Sequence, residues 1–284
     1  MNKSGVLLIT SFIIFAIIPT NQVVAIKHAN HDILAQFALL SDSHLNHAKT
    51  VDDANFTSHF EKAIEQVNAA DVDFVLIAGD LTQSGKPDEF SLFRAEITKF
   101  HVPVWYVPGN HDIGNKFSLS GKDEHVTLSR METYEKQMGP SWFTANCAGV
   151  HIICINSSNL GSGFEEEKQM WKFLEKELGT SNKAPTILMM HYPLYLNDEN
   201  EPSEYWNVEP TPRVRLINLL KKSNVKIVLT GHLHQPVNNS LDGILLVTTP
   251  PTSFGIPAGK QPEGWLLVTI LKNGKATVTF ETIK

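Results

Sequence analysis

The sequence predicts an α/β domain, a four-layer helix-sheet-sheet-helix sandwich with a mixed sheet packed on a second sheet. Three observations lead there. Five short apolar runs, at residues 37–40, 74–78, 104–107, 187–190 and 227–229, are bounded by Gly, Pro or Asp and read as buried strands. Apolar stripes at helical spacing separate them, as in βαβ units with helices outside the sheet. After Gly231 the helical stripes stop, and strand-like segments follow one another directly.

At the amino terminus, Lys3 precedes an apolar stretch at residues 6–18, then Pro19 and the small-residue pattern Val23-Val24-Ala25. That order predicts a signal peptide over residues 1–25, cleaved after Ala25. The stretch is shorter than the roughly 18–20 apolar residues that span a bilayer, so no stable membrane anchor is expected after cleavage. The expected location is secreted or periplasmic. A single domain, residues 32–284, follows, with no internal repeat, low-complexity segment or linker to divide it.

Within the domain, Phe60, Ile64 and Val67 form the first helical stripe, and Phe90, Phe93 and Ile97 the second. Trp171, Leu174 and Leu178 form a third, and Val214, Ile217 and Leu220 a fourth; all four are expected to face the core. Residues 142–157 read as a hairpin turning at Ala148-Gly149, in which Cys147 pairs with Val150. Cys154 then does not face Cys147, and both are expected as core cysteines rather than a disulfide. Residues 244–248, 265–271 and 277–282 are strand-like, with Asn273-Gly274 turning between the last two, and are expected to make a second, mostly antiparallel sheet. Residues 194–212, which include Glu199, Glu201, Tyr205 and Trp206, and residues 250–262, with Phe254, are irregular and are read equally as substrate walls or as packing loops.

Composition narrows the function. Hydrophobic content of 42% and charged content of 19% are those of an ordinary soluble globular chain. The formal charge is −6, and removing residues 1–25 takes away one lysine and no acid, leaving −7. An acidic surface repels a phosphate backbone, which argues against broad nucleic-acid binding.

Each apolar run is followed by a polar patch: Asp42-Ser43-His44, Gly79-Asp80, Gly109-Asn110-His111-Asp112, His191 and Gly231-His232-Leu233-His234. If the strands share one sheet, the patches emerge together at its carboxyl edge, where α/β sheets place their ligands. A lone His or Asp there is usually a solvated turn or a cap. Two aspartates, an asparagine and several histidines arriving together are the donors of a dinuclear metal site. One carboxylate bridges the ions, and neutral imidazoles and an amide oxygen fill the other positions without excess charge. Two divalent cations about 4 Å apart neutralise phosphoryl oxygens and lower the pKa of a shared water, as hydrolysis of a phosphate ester requires.

These patches in this order resemble the calcineurin-like metallophosphoesterase superfamily, from about Ala35 to His234. The resemblance implies that Asp42, His44 and His234 bind one metal, that Asn110, His191 and His232 bind the other, and that Asp80 bridges them. It implies for His111 a non-ligand role, contacting the phosphate and stabilising or protonating the leaving oxygen, with Asp112 orienting its imidazole. The implied activity is hydrolysis of a phosphate monoester or diester, in a phosphorylated small molecule or a phosphoprotein, by in-line attack of a metal-bridging hydroxide. Gln83 stands where the purple acid phosphatase branch has a ligating tyrosine, and the mixed N/O donors suit Mn, Fe or Zn. Residues 109–115, Tyr205-Trp206-Asn207 and the final patch are similar to the branch of the calcineurin-like phosphoesterase domain-containing protein and the bacterial cyclic-nucleotide phosphodiesterases. Two alternatives stand beside this. A nuclease of the same fold needs a basic track and stacking aromatics. A metal-binding scaffold without turnover has no need of His111. Arg213 and Arg215 are read either as phosphate contacts or as a solvated helix face.

Overall fold

A strand buried on both faces needs apolar residues at nearly every position, and the runs supply them. A computed structural model of the protein describes residues 28, 30–47, 53–117, 124–179, 184–257 and 260–283; the expected signal segment lies outside these. The chain order is β1 (Ile33–Leu40), α1 (Asp53–Ala69), β2 (Phe74–Ile77), α2 (Pro87–Ile97), β3 (Val104–Tyr106), α3 (Asn110–Ile113), α4 (Leu128–Met138), β4 (Phe143–Cys147) and β5 (Val150–Cys154). It continues with α5 (Glu165–Gly179), β6 (Thr186–Met189), α6 (Pro210–Leu220), β7 (Val225–Thr230), β8 (Val237–Leu241), β9 (Ile244–Thr248), β10 (Gly264–Leu271) and β11 (Ala276–Thr282).

Two mixed sheets pack face to face, with strand orders β11-β10-β1-β2-β3 and β4-β5-β6-β7-β9-β8. Alternation along each strand sorts its side chains into layers. Phe37, Leu39, Phe74 and Leu76 meet Ile187, Met189, Ile227 and Leu229 between the sheets. Ala38, Leu40, Val75 and Ile77 face the helices that carry Phe60, Phe90, Phe93 and Tyr134, and on the far side Leu188 and Val228 face Trp171, Leu174, Leu216 and Leu220. The four-layer sandwich is as expected, and so is the hairpin with Cys147 opposite Val150; both cysteines are free and buried. The turn at Asn273-Gly274 likewise joins two antiparallel strands, with Gly274 at φ +83°.

The membership of the sheets differs from expectation. The five ligand-bearing strands do not share one sheet: β1, β2 and β3 lie in the first, β6 and β7 in the second. Nor do the last strands form a sheet of their own. β9 extends the second sheet parallel to β7, whereas β10 closes the first antiparallel to β1. Local periodicity says that a strand is buried but not which neighbour buries it. Apolar spacing also anticipates neither α4 nor the polar edge strand β8. On α6 the buried face runs through Arg213, Leu216, Ile217 and Leu220, and Val214 is 52% exposed, not core-facing. No helix among the described residues is long and apolar enough to cross a membrane.

Candidate metal centre

The carboxyl ends of β1, β2 and β3 meet those of β6 and β7 across the seam between the sheets. Asp42 N–H donates to Gly79 O at 3.0 Å within the first sheet's edge and Gly231 N–H to His191 O at 3.0 Å within the second's, while Thr249 Oγ1 at the end of β9 donates to Leu39 O at 3.2 Å across the seam. The approach is close enough to require glycine. A Cβ on Gly231 would lie 1.8 Å from Ser41 Oγ, and one on Gly79, itself at φ +90°, 2.6 Å from the His191 ring. Asp42, His44, Asp80, His232 and His234 all have positive φ, between 47° and 72°. Non-glycine residues adopt that region at a cost of about 1–3 kcal/mol each, and such strain gathers at functional sites.

Two clusters result, Asp42-His44-Asp80-His234 and Asp80-His191-His232, sharing Asp80 and wholly buried. Asn110 joins the second, its Oδ1 lying 3.0 Å from His191 Nε2. Asp80 Oδ1 accepts from His111 N–H at 2.8 Å, while Oδ2 lies 3.3 Å from His191 Nε2 and 3.7 Å from His44 Nε2.

An oxygen acceptor sets the tautomer of each imidazole. His44 Nδ1 faces Gln83 Oε1 at 2.8 Å, His191 Nδ1 faces Ala78 O at 2.7 Å and His234 Nδ1 faces Phe254 O at 2.6 Å. His232 Nε2 faces Tyr205 O at 3.3 Å. A carbonyl oxygen only accepts, so each of these nitrogens carries the proton and the other keeps its lone pair, as in metal-binding histidines. The fit to a cation follows. His44 Nε2 and His234 Nε2 face each other at 3.1 Å, two acceptors with no donor between them.

Electrostatics point the same way. Burial pushes His44 down to about 3, so it stays neutral, and burial together with the nearby His191 holds His232 well below its ordinary value. Burial would lower His191 too, but the Asp80 carboxylate beside it raises it to about 9. Without a cation, a proton takes that place. Burial opposes ionisation of Asp80, yet His191 and His111 hold its carboxyl well below the usual range.

The model of the calcineurin-like phosphoesterase family matches residues 35–236, a span that contains every patch. The chain belongs to that family. Among its relatives is the serine/threonine-protein phosphatase CPPED1 of Danio rerio, 26% identical over 70% of this chain, which spans 65% of that protein's length. A probable cyclic nucleotide phosphodiesterase of Vesicomyosocius okutanii is 25% identical over 86% of this chain and 97% of that one. A dimetal phosphatase from Danio rerio has the same fold, with a TM-score of 0.56 at 12% identity, over 89% of this chain and all of that one.

In this calcineurin-like phosphoesterase one expected role falls elsewhere. Asp112 does not orient His111. Its carboxylate accepts from the N–H groups of Leu81, Thr82 and Gly109, at 3.0, 2.9 and 2.8 Å, and from Thr82 Oγ1 at 2.7 Å, so it latches the Asp80 turn to the start of α3. Burial and the charge of Asp80 raise Asp112 to about 6. The His111 ring is instead set by Gln83, whose backbone oxygen accepts from Nδ1 at 2.8 Å. Gln83 thus orients two histidines, His111 with its carbonyl and His44 with its side chain.

Arg213 is neither a phosphate contact nor solvated. It is fully buried and donates to the carbonyls of Val208, Glu199, Glu201 and Pro202. Arg215 stacks on Trp171 and pairs with Glu175 at 2.7 Å, away from the metal centre. Glu201 turns inward, accepting from Leu196 N–H, Asn197 N–H and Asn207 Nδ2, and is no substrate wall. Tyr205 and Phe254 do reach the site. A polar cavity of about 440 Å³ opens beside the ligands, lined by Gln83, Asn110, His111, Asn115, Arg130 and Tyr205 among others. Lys116, Arg130 and Ser157, whose Oγ accepts from His191 N–H at 3.1 Å, carried no sequence signal, because a lone lysine, arginine or serine belongs to no motif.

Proposed function

We propose that this chain hydrolyses phosphate esters through two divalent cations. Asp42, His44 and His234 would hold one, Asn110, His191 and His232 the other, and Asp80 would be shared. The observation that carries this reading is the facing of His44 Nε2 and His234 Nε2 at 3.1 Å with both opposite ring nitrogens committed to oxygen acceptors. A metal cation between them satisfies both lone pairs, and burial, which keeps His44 neutral, works against a proton in its place. When bound, such ions supply a nucleophilic water of lowered pKa and neutralise the phosphoryl oxygens.

The chain's own residues do the rest. Burial of both clusters excludes bulk water and strengthens each electrostatic contact. His111 lines the cavity, and its Nδ1–H donates to Gln83 O; a second proton on Nε2, present when the ring is the imidazolium, would be the one given to the leaving oxygen. His111 N–H also steadies Asp80 Oδ1. The mixed imidazole, amide and carboxylate donors suit Mn, Fe or Zn. The substrate we propose is a phosphorylated small molecule or a phosphoprotein, met in a secreted or periplasmic setting. The signal-like order of residues 1–25 supports that location, and a mature protein beginning at Ile26 is the expected result of amino-terminal sequencing.

The test is hydrolysis of p-nitrophenyl phosphate and bis-p-nitrophenyl phosphate by metal-stripped and Mn²⁺-reloaded protein. Turnover is expected only after reloading. Asp80→Ala should abolish it and release both ions, whereas His111→Ala should keep the ions and lose about 10²–10⁴-fold in kcat, the usual worth of a general acid. An active Asp80→Ala protein would sink the proposal.

A further inference from the structure

Tyr205 is 58% exposed, yet its contacts are with the metal centre. Its ring lies 4.9 Å from that of His232, its carbonyl faces His232 Nε2 at 3.3 Å, and its hydroxyl accepts from Asn110 Nδ2 at 3.4 Å. Among the described residues no acceptor takes the phenolic proton, and the side chain lines the same polar cavity as His111.

Buried cations hold this placement. Lys116 Nζ, only 5% exposed, donates to Glu204 O at 2.6 Å, to Asn207 O and to Glu209 Oε1 at 2.8 Å, clasping the backbone on both sides of Tyr205. Asn207 Oδ1 closes the turn by accepting from Glu204 N–H at 3.0 Å. Arg213 fastens the start of the same loop through the carbonyls of Glu199, Glu201 and Pro202. An exposed aromatic on a loop tied down by two buried cations is there to meet something.

The cavity's charge says what. Arg130 is its lining lysine or arginine, and it already faces Glu124, with Nη1 3.4 Å from the carbonyl and Nη2 3.7 Å from the carboxylate. Among the described residues an ester phosphate bound at the ligands therefore meets no free guanidinium clamp, and neutral donors are the ones at hand for its oxygens. Tyr205 has one to offer beside Asn110.

We propose that Tyr205 contacts the substrate directly: its hydroxyl keeps the hydrogen bond from Asn110 and donates its own to a phosphoryl oxygen of the bound ester. The proton stays on the phenol and no bond to Tyr205 forms or breaks. The contact rests on the phosphoesterase reading above and adds a second protein donor on the Asn110–His232 side.

The experiment compares wild type and Tyr205→Phe as full chains loaded with Mn²⁺. Three quantities are read: metal content, kcat/KM on the two p-nitrophenyl esters, and affinity for inorganic phosphate by calorimetry. Two ions should remain bound, while kcat/KM and phosphate affinity should each fall about 10- to 100-fold, the worth of a hydrogen bond to a charged group. Unchanged kcat/KM and unchanged phosphate affinity would overturn the contact. So would loss of metal, which would make Tyr205 a support for Asn110 and His232 rather than a partner of the substrate. If wild type cleaves neither ester, the phosphoesterase reading fails by itself. Phosphate affinity then still decides, and an equal or undetectable value in both proteins overturns the role of Tyr205.

Discussion

The two halves of the metal centre are covered in different ways. Over His44 and His234 lies Phe254, with ring centroids 5.4 and 4.4 Å away, and Phe254 itself stacks on Phe56 at 5.2 Å. Over His232 lies Tyr205, on a loop held by hydrogen bonds made by its neighbours, while the buried Tyr192 backs both His191 and His232 from within. An apolar lid shields one side and seals it. A polar strap leaves an exposed hydroxyl and an open cavity on the other. On the phosphoesterase reading proposed above, the difference puts the expected substrate entry on the side of the cavity lined by Asn110 and Tyr205, with the Phe254 side expected to retain its ion.

Breaking the strap should have the largest effect. Lys116→Met leaves the buried Glu209 carboxylate without its cation, with only Ser203 Oγ still donating to it, and should cost about 3–5 kcal/mol of stability in denaturant unfolding. It should also reproduce the kinetic defect of Tyr205→Phe, and the two together should be no worse than either alone. A fully additive double variant would separate the strap from the tyrosine.

Opening the lid should matter less. Phe254 is half-buried, so Phe254→Ala should cost about 1–3 kcal/mol. Its signature is faster loss of one Mn²⁺ to a chelator, with phosphate affinity held. Equal acceleration for both ions would contradict the sealed-and-open comparison.

A further test of the contrast is in pH. His191, raised to about 9, carries a proton at neutral pH in the metal-free protein and must lose it to act as a ligand, whereas His44, lowered to about 3, has none to lose. Mn²⁺ affinity on the His191 side should therefore rise by up to about tenfold per pH unit toward pH 9 and then level off, with a weaker slope on the His44 side. The linked stability has the opposite sign. A folded-state pKa raised above 6.5 stabilises the metal-free chain fully below that value, and this is lost as pH climbs through about 9. Calorimetric titrations across pH 6.5–9 would show two slopes, and a common slope would remove the electrostatic part of the contrast.

Much of this was legible along the chain. The apolar runs, the helical stripes at Phe60, Phe90 and Trp171, and the order of Asp, Asn and His patches are local patterns, set by burial period and by ligand chemistry. Read alone they identify a layered α/β domain with the donors for two ions. Tertiary structure decided the rest. It split the ligand strands between two sheets, because pairing across long separations leaves no trace in local period. It buried Arg213 and Lys116, whose partners are mostly carbonyls that no residue type announces. It turned Asp112 toward backbone N–H groups instead of His111, and it drove five of the site's residues to positive φ, where only the surrounding packing can hold them. Residue identity determined which donors are present, and the convergence of two sheet edges determined which nitrogen each histidine has free.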